Sequence, residues 1–360
     1  NSEGYLLYTF GFKGNKYGNS MAPVALEKLN NNLLILDREK GWITIYKPTM
    51  YALSIQAAIA YHYDGHYDKA TEMWENVLKM NANNDLAYTG IGLAYLRQDD
   101  FRTAMSYFKK GNNRDYYSEA LGLYRREVIS EYLGWFFLII ILAYIFHLVY
   151  SKWEGKYRYK KAFIDFLDRN EEKYKFIARI RNVYAALRYS LHVIFHPFDG
   201  FWDLKHEKRG NVPAAIIILL LTSLTYVFAR QYTGFIFNTA DLTKLNIFKE
   251  FIGVVSPFLL WCIVNWSLTT LVEGKGTFKD IFITSAYALT PIILIYIPIT
   301  IFSNFITQNE GAFYYFFSFV ALLWVVFLLF FGTMVVHNFS IKKNVLSSVL
   351  TIAGIVFVLF

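Results

Sequence analysis

The stretch "VPAAIIILLLTSLTYVFA", residues 212–229, carries no charged side chain and is long enough to cross a bilayer as a helix. Runs of about 18 or more apolar residues with almost no charge are typical of transmembrane helices. Five further runs share this character, at residues 132–150, 251–272, 281–301, 313–336 and 345–360. The whole chain is 55% hydrophobic, which is too apolar for a single soluble domain of 360 residues. The sequence therefore predicts a multi-pass membrane protein with six transmembrane helices.

The predicted loops differ in charge on the two sides of the membrane. Residues 151–210 lie between two apolar runs and hold most of the excess positive charge of the chain. Alternation of the spans brings to the same side the loops that carry Lys275, Lys279, Lys342 and Lys343. The opposite loops of this half carry only Arg230, Lys244 and Lys249. Because cytoplasmic loops are enriched in Lys and Arg, we predict that residues 151–210 are cytoplasmic and residues 1–131 extracytoplasmic.

Small and aromatic residues recur at a spacing of 34 positions in the polar first part of the chain. The aligned pairs are Ala58 and Gly92, Tyr61 and Tyr95, Ala70 and Ala104, and Trp74 and Phe108. This pattern resembles a pair of tetratricopeptide repeats, in which small residues let the two helices of a hairpin approach each other. We assign residues 49–118 to these repeats. An ordinary pair of amphipathic helical hairpins is the alternative.

A long helix is predicted to follow the repeats. Ser118 is a residue type that caps helices, and no turn signal separates Glu119 from the first apolar run. Residues 119–150 are therefore expected to form one helix, whose first half caps the repeats and whose second half is the first transmembrane span.

The first 48 residues have the pattern of β-structure. Alternating apolar and polar residues predict strands at residues 5–10, 24–26, 33–37 and 43–46, with turn residues at Gly11, Gly14, Gly18, Asn31 and Asn32. The stretch "TFGFKGNKYGNSMAPVALEKLNNNLLILDREKGWITIY" resembles one blade of an NHL-type β-propeller. Residues 1–48 are then the end of a propeller whose other blades precede Asn1, since propellers contain several blades. The alternative is a small β-hairpin that caps the repeats.

From Leu191 onward the sequence resembles the Yip domain, a five-span membrane family that is also widespread in bacteria. The resemblance is carried by "HPFDGFWDLK" (residues 196–205), "EGKGTFKD" (residues 273–280) and "AYALTP" (residues 286–291). It implies a Yip-like bundle of five spans over residues 211–360. It also implies a membrane-shaping or partner-binding role, because the family has no agreed enzymatic activity.

Motifs for catalysis, cofactors or metals are weak throughout the chain. His192 and His196 have the spacing of two metal ligands on a helix, but Val193 stands where the zincin pattern needs Glu. The Glu-Gly-Lys-Gly sequence that starts at Glu273 lacks the rest of a phosphate-binding loop and predicts a tight cytoplasmic turn. Asn265 is the only strongly polar side chain deep in an apolar run. We therefore predict no enzyme, no cofactor and no metal.

The cytoplasmic segment, residues 151–210, has the pattern of basic amphipathic helices. Apolar residues recur every three to four positions with Lys and Arg between them, as in Phe176, Ile180, Tyr184 and Leu187. Such helices suit an anionic lipid surface or the cytoplasmic loops of a partner. Nucleic acid is not an expected partner, since no recognised nucleic-acid-binding fold accompanies these residues.

The expected fold class is mixed. It combines a partial β-propeller blade, α-helical tetratricopeptide repeats and an all-α membrane domain with six transmembrane helices, of which five form the Yip-like bundle. The predicted function is a non-enzymatic accessory or scaffold subunit of a membrane transport complex, a carbohydrate ABC importer of a bacterial cell membrane. A lipid- or curvature-related membrane organiser of the Yip type is the alternative. An enzyme acting on a surface polymer would need a catalytic site that the chain does not display.

The expected partners are membrane lipids, the permease subunits of the importer and its solute-binding protein. The candidate contact residues on the repeats are Tyr61, Tyr63, Tyr88 and Tyr95. The candidates at the inner membrane interface are Trp153, Phe198, Phe201 and Trp202. Exposed aromatic side chains are enriched among the residues that dominate protein interfaces, although bilayer anchoring uses the same residue types.

Overall fold

The computed structural model describes residues 6–153, 175–271 and 273–359. The chain divides into two compact units, Asn1–Ser130 and Glu131–Phe360. The first unit contains a small sheet and a set of helices. The second unit contains apolar helices, and the predicted domain boundaries stay predictions.

The sheet has three antiparallel strands in the order β1 (Pro23–Leu29), β2 (Asn32–Asp37) and β3 (Trp42–Tyr46). Leu29 pairs with Asn32, so the first hairpin turns through Asn30 and Asn31, and Asn30 adopts the left-handed φ of 54° that asparagine tolerates. Residues 6–10 are not a strand, which corrects the prediction for residues 5–10. The described sheet is therefore a three-stranded meander, and the assignment to a propeller stays a prediction.

Asp37, at the end of β2, organises the loop before β1. It is almost fully buried and accepts hydrogen bonds from the Ser20 hydroxyl at 2.7 Å and from the backbone N–H groups of Met21 at 2.5 Å and Lys40 at 3.1 Å. Burial raises the pKa of the Asp37 carboxyl, but these hydrogen bonds outweigh burial and hold the pKa well below its ordinary value. Asp37 is thus an ionised structural residue that fixes the loop to the sheet.

Four helices follow, α1 (Met50–Tyr63), α2 (Tyr67–Met80), α3 (Asp85–Arg97) and α4 (Phe101–Lys110). Each packs against the next in the chain. A Cβ atom on Gly92 would lie 2.6 Å from the Phe108 ring, and one on Gly90 would lie 2.2 Å from the Trp74 indole nitrogen. Small residues therefore permit the close approach of these helices. The resemblance to tetratricopeptide repeats itself stays a prediction.

Helix α5 (Arg114–Trp153) is continuous and contains the whole of the predicted helix at residues 119–150. Its apolar half carries large exposed side chains such as Trp135, Ile139 and Phe146. Hydrocarbon surface of this extent is stable only when lipid or another protein covers it.

The second unit continues with eight further α-helices in the described residues. They are α6 (Lys175–Phe195), α7 (Pro197–His206), α8 (Val212–Tyr232), α9 (Ile247–Leu271), α10 (Phe278–Ala288), α11 (Thr290–Phe302), α12 (Gly311–His337) and α13 (Ile341–Leu359). Short 3₁₀ turns lie at Leu242–Lys244 and Gln308–Glu310. Six helical segments of the described chain are long and apolar enough to cross a membrane. The six predicted spans are confirmed as such segments, and the chain is a membrane protein.

The third span of the bundle is interrupted. Helices α10 and α11 meet at Leu289, where Pro291 in the first turn of α11 supplies no backbone N–H. The buried hydroxyl of Tyr287 donates to the Ala186 carbonyl of α6 at 2.9 Å. The "AYALTP" motif therefore joins the span to α6 at the point where the helix breaks.

A polar seam runs between α9 and α13. Asn265 is 1% exposed, and its amide donates to the Thr351 hydroxyl at 3.3 Å. Ser347 and Asn344 are also buried and lie on the same side of α13 as Thr351, at helical spacing. Hydrogen bonds between helices are one of the means by which membrane helices associate. The seam explains the single strongly polar side chain within the apolar runs as a helix contact.

Candidate functional site

Helix α7 divides its aromatic residues between two environments. Phe201 is fully buried, and a Cβ atom on Gly332 of α12 would lie 3.2 Å from its ring. The glycine therefore lets α7 pack closely on α12. Phe198 and Trp202, four residues apart on another face, are 50% and 49% exposed. Helix α7 is thus anchored by Phe201 and presents Phe198 and Trp202 outward.

Tyr189 connects α6 with α7. Its hydroxyl donates to Asp203 Oδ2 at 2.5 Å, and Arg209 Nε lies 3.5 Å from the same oxygen. The Arg209 guanidinium also lies 5.4 Å from the centroid of the Tyr189 ring. Burial and the bond to the Asp203 carboxylate raise the pKa of the Tyr189 hydroxyl well above its ordinary value. The hydroxyl therefore remains a donor at physiological pH and holds the two helices in place.

The loop between α9 and α10 packs against a buried histidine. His337 is 1% exposed, and its Nδ1 accepts a hydrogen bond from the Gly276 N–H at 3.3 Å. A Cβ atom on Gly274 would lie 2.5 Å from that nitrogen, and one on Gly276 would lie 2.5 Å from Val336. Both positions are therefore too close to their neighbours for a side chain. Lys275, between the two glycines, is exposed.

A lysine from α7 donates a hydrogen bond to a carbonyl at the C-terminal end of α12. Asn338 has φ 56° and ψ 44°, and the Phe339 N–H donates to the Met334 carbonyl at 3.0 Å. Lys205 Nζ of α7 donates to the Val336 carbonyl at 2.6 Å. A lysine at this position satisfies a terminal carbonyl and interacts favourably with the helix dipole. Lys205 is thus fixed at the end of α12.

Helix α7, the α9–α10 loop and the α12–α13 turn enclose a pocket of about 530 Å³. Its polar lining consists of Asp199, Lys205, His206, Lys275 and Asn338, and its apolar lining of Phe198, Trp202, Met334, Val335 and Phe339. Among the residues that the structure describes, neither Lys205 nor Lys275 forms an ion pair with a carboxylate. The headgroup pocket, as we call these ten residues, therefore combines unpaired positive charge with aromatic walls.

The four predicted tyrosines lie at separate points of the first unit. Tyr63 is 57% exposed and lines a groove formed by α1, α3 and α5. Tyr61, on the same helix, is partly buried. Tyr95 stacks on Tyr107 with the ring centroids 5.6 Å apart, and Tyr88 is partly buried. Only Tyr63 combines high exposure with a concave surface, and contact with a partner stays a prediction for all four.

The predicted residues of the inner interface also separate. Phe198 and Trp202 line the headgroup pocket. Phe201 lies in the core, so its side chain supports the fold and is not accessible to a partner. The side chain of Trp153 lies outside the described residues.

Lys205, Lys275, Asn338 and Phe339 were not predicted as site residues. Lys205 lies within the quoted motif HPFDGFWDLK and Lys275 within EGKGTFKD. A search for basic residues beside spans of one orientation would have found both. Asn338 and Phe339 carry no such signal, because the turn joins the pocket through tertiary contacts.

Clusters of metal-ligating side chains are absent from the described part of the chain. It contains no group of three or more His, Cys, Asp or Glu side chains that could hold a metal ion. His192 and His196 are exposed, and their rings stack with centroids 4.5 Å apart. Their spacing therefore produces a stacked surface pair in this structure.

The fold and the pocket define a multi-span helical membrane protein with a basic, aromatic pocket at one end of its bundle. The family model of the Yip1 domain matches residues 191–360. The chain thus carries a Yip1 domain, which belongs to a membrane-associated and non-enzymatic family, and every residue of the headgroup pocket lies within it. Comparison with curated proteins and with solved structures found no match.

Proposed function

We propose that this chain is a non-enzymatic membrane-organising protein of the Yip type, which engages anionic lipid at the basic end of its Yip1 domain. The observation that carries the proposal is the difference in charge between the two ends of the helical bundle. One end contains the headgroup pocket and seven basic residues, which are Lys205, Lys208, Arg209, Lys275, Lys279, Lys342 and Lys343. Five acidic residues lie on the same segments, which are Asp199, Asp203, Glu207, Glu273 and Asp280, so these residues leave a net positive charge of two. Arg209 is paired with Asp203 and Glu207, whereas Lys205 and Lys275 form no ion pair in the described residues.

The other end of the bundle is close to electrically balanced. Arg230 Nε lies 3.5 Å from a carboxylate oxygen of Glu250, and Lys244 Nζ lies 3.1 Å from one of Asp241. Basic side chains without such partners attract anionic lipid, with about 1 kcal/mol for each Lys or Arg near the surface. The difference between the ends favours contact of the pocket end with an anionic leaflet.

This proposal assigns the pocket end to the cytoplasmic side of a bacterial cell membrane. Residues 151–210 are then cytoplasmic, although residues 154–174 lie outside the described residues, and residues 1–131 are extracytoplasmic. Helix α6, which follows the undescribed segment, keeps exposed apolar side chains at Ile180 and Tyr184 beside exposed arginines. An amphipathic basic surface of this kind suits a lipid interface.

A membrane-impermeant thiol reagent tests this orientation in intact cells. We expect Asn83→Cys to be labelled and Lys342→Cys to remain unlabelled until the membrane is permeabilised. Both positions are exposed, so accessibility depends on the side of the membrane and not on burial. The background is Cys262→Ala, since Cys262 is the only cysteine of the chain and is buried.

Labelling of both variants after permeabilisation is the control for reactivity. The reverse pattern, with Lys342→Cys labelled first, would place the basic end outside and overturn the proposed function.

A second candidate function is the accessory or scaffold subunit of a carbohydrate ABC importer. The observation in its favour is the groove of the first unit, where exposed Tyr63 lies beside Leu93, Arg97 and Tyr116. A concave surface on stacked helices is suited to a protein or an extended polymer. The permease subunits and the solute-binding protein are the partners that this role requires.

Gentle solubilisation of native membranes distinguishes the two functions. The membrane-organising role predicts that the chain is isolated with lipid and without stoichiometric protein partners. Recovery of permease and ATPase subunits in amounts comparable with the chain would establish the importer role instead. Tyr63→Ala should then reduce their recovery, whereas Tyr17→Ala, which removes a tyrosine that is 95% exposed and lies away from the groove, should not.

A further inference from the structure

A second, apolar groove lies beside the headgroup pocket. It has a volume of about 420 Å³ and is lined by Ile194, Phe195 and Pro197 on one side and by Val320, Leu323, Trp324 and Phe327 of α12 on the other. None of these side chains is charged. The groove therefore suits a hydrocarbon chain, whereas the headgroup pocket suits an anion.

The pocket and the groove follow one face of α12. Val320, Trp324 and Phe327 of the groove are followed at helical spacing by Phe331 and then by Met334 and Asn338. The Phe331 ring lies between the two regions. Its centroid lies 4.4 Å from that of Phe327 and 4.6 Å from that of Phe198.

This face of α12 is longer than the hydrocarbon depth of one leaflet. From Met334 to Val320 the helix rises about 21 Å at 1.5 Å per residue. The hydrocarbon core is about 30 Å thick, so one leaflet takes about half of that. An acyl chain that starts at the pocket can therefore lie along α12 through the whole depth of the leaflet.

The charged groups of the pocket are arranged for a phosphate. Lys205 uses one of its three donors on the Val336 carbonyl, which fixes the ammonium and leaves two donors for an anion. Lys275 lies on the loop that Gly274 and Gly276 hold against His337. Asp199 is the only acidic residue in the lining, and the two ammonium groups outnumber it.

Trp202 indicates where the lipid headgroups lie along the bundle. It is half exposed beside the pocket, and its ring stacks on His206 with the centroids 4.7 Å apart. Tryptophan is enriched at the level of the lipid headgroups, where its ring is partly apolar and its N–H remains in a polar environment.

We infer that the pocket and the groove form one binding site for an anionic glycerophospholipid. Its phosphate lies between Lys205 and Lys275, and an acyl chain follows the apolar face of α12. The site deepens the proposed function and rests on it for the presence of anionic lipid at this end. A ligand that occupies both the pocket and the groove must be a lipid, because a free phosphate would leave the groove uncovered.

The test measures lipid binding to the purified full chain in a neutral detergent by native mass spectrometry. We expect phosphatidylglycerol to bind more tightly than phosphatidylcholine. Lys275→Met should weaken phosphatidylglycerol binding about fivefold, because it removes one basic residue near the anion. Lys279→Met is the matched control, since Lys279 is exposed at the same end and does not line the pocket. Equal losses in the two variants would overturn the site in favour of general surface charge.

The groove has its own matched pair of variants. Leu323→Trp should fill the groove and weaken the binding of phosphatidylglycerol, whereas Leu322→Trp, which changes an equally exposed neighbour outside the groove, should not. Equal effects would contradict the path of the acyl chain. Inorganic phosphate is titrated in parallel, and displacement of the lipid by phosphate at similar concentrations would identify a free-anion site.

The lipid-binding test and the test of the proposed function can be told apart by their results. Binding in detergent does not depend on the orientation of the chain in cells, so thiol labelling and lipid binding can fail independently.

Discussion

Replacement of Gly234 by alanine is expected to unfold the membrane unit under conditions in which the unchanged chain is stable. A Cβ atom at this position would lie 2.2 Å from the carbonyl oxygen of Ser303 and 2.7 Å from its carbonyl carbon. Both are backbone atoms, so the clash is relieved only if the connection after α11 moves. Gly234 N–H also donates to the Ser303 hydroxyl at 2.8 Å, and that movement would break the bond. Overpacking alone costs about 1–3 kcal/mol, and the lost hydrogen bond adds about 1 kcal/mol.

Gly253→Ala is the matched control, because a Cβ atom on Gly253 meets no heavy atom within 4 Å. Alanine is favoured over glycine inside a helix by about 1 kcal/mol, so this variant should be as stable as the unchanged chain or more so. Thermal unfolding of both variants in detergent, followed by the amount of monodisperse protein, measures the difference. Similar midpoints for the two variants would show that the close approach at Gly234 is absent.

The spans were predictable because lipid imposes a simple rule on composition. A helix in hydrocarbon must satisfy its own backbone groups and present apolar side chains, and the run at residues 212–229 follows this rule without interruption. The same rule says nothing about how a span is divided. The break at Leu289 depends on Pro291 and on the bond from Tyr287 to α6, and only the proline can be recognised in the sequence.

The strands were less predictable, because alternation over a few residues is weak evidence. Residues 24–26, 33–37 and 43–46 lie within the three strands of the sheet, whereas residues 6–10 alternate in the same manner and form no strand. A strand needs a partner for its backbone groups. Phe10 packs instead against the Tyr46 ring, with the centroids 4.9 Å apart. Its apolar side chain therefore contacts the sheet although its backbone does not pair with a strand.

The pocket could be predicted only in part. Positive charge at one end follows from the count of Lys and Arg in the loops, and this count was available in the sequence. The meeting of Lys205 with the end of α12 joins residues 131 positions apart. Gly274 and Gly276 were predicted to form a tight cytoplasmic turn, but the sequence did not indicate that both glycines lie against buried His337. Such contacts are properties of packing and leave no local pattern.

Phe201→Ala and Phe198→Ala are expected to separate the structural role of α7 from its surface role. The two residues lie three positions apart in one motif, but Phe201 is fully buried and Phe198 is half exposed. Truncation of a buried Phe costs about 3–5 kcal/mol, from lost burial and from the cavity that remains. Phe201→Ala should therefore lower the thermal stability of the membrane unit strongly and detach α7 from Gly332.

Phe198→Ala should leave the unfolding midpoint nearly unchanged, since this ring touches the bundle mainly through the edge-on contact with Phe331. Its effect should appear in the binding of phosphatidylglycerol, because Phe198 lines the headgroup pocket and borders the groove. Thermal unfolding and lipid binding are measured on both variants in the same detergent. A stable Phe201→Ala variant would mean that α7 does not depend on its buried ring. A Phe198→Ala variant that unfolds early would show that the exposed face of α7 is part of the core, and α7 could then no longer be divided into a buried anchor and a lipid-facing surface.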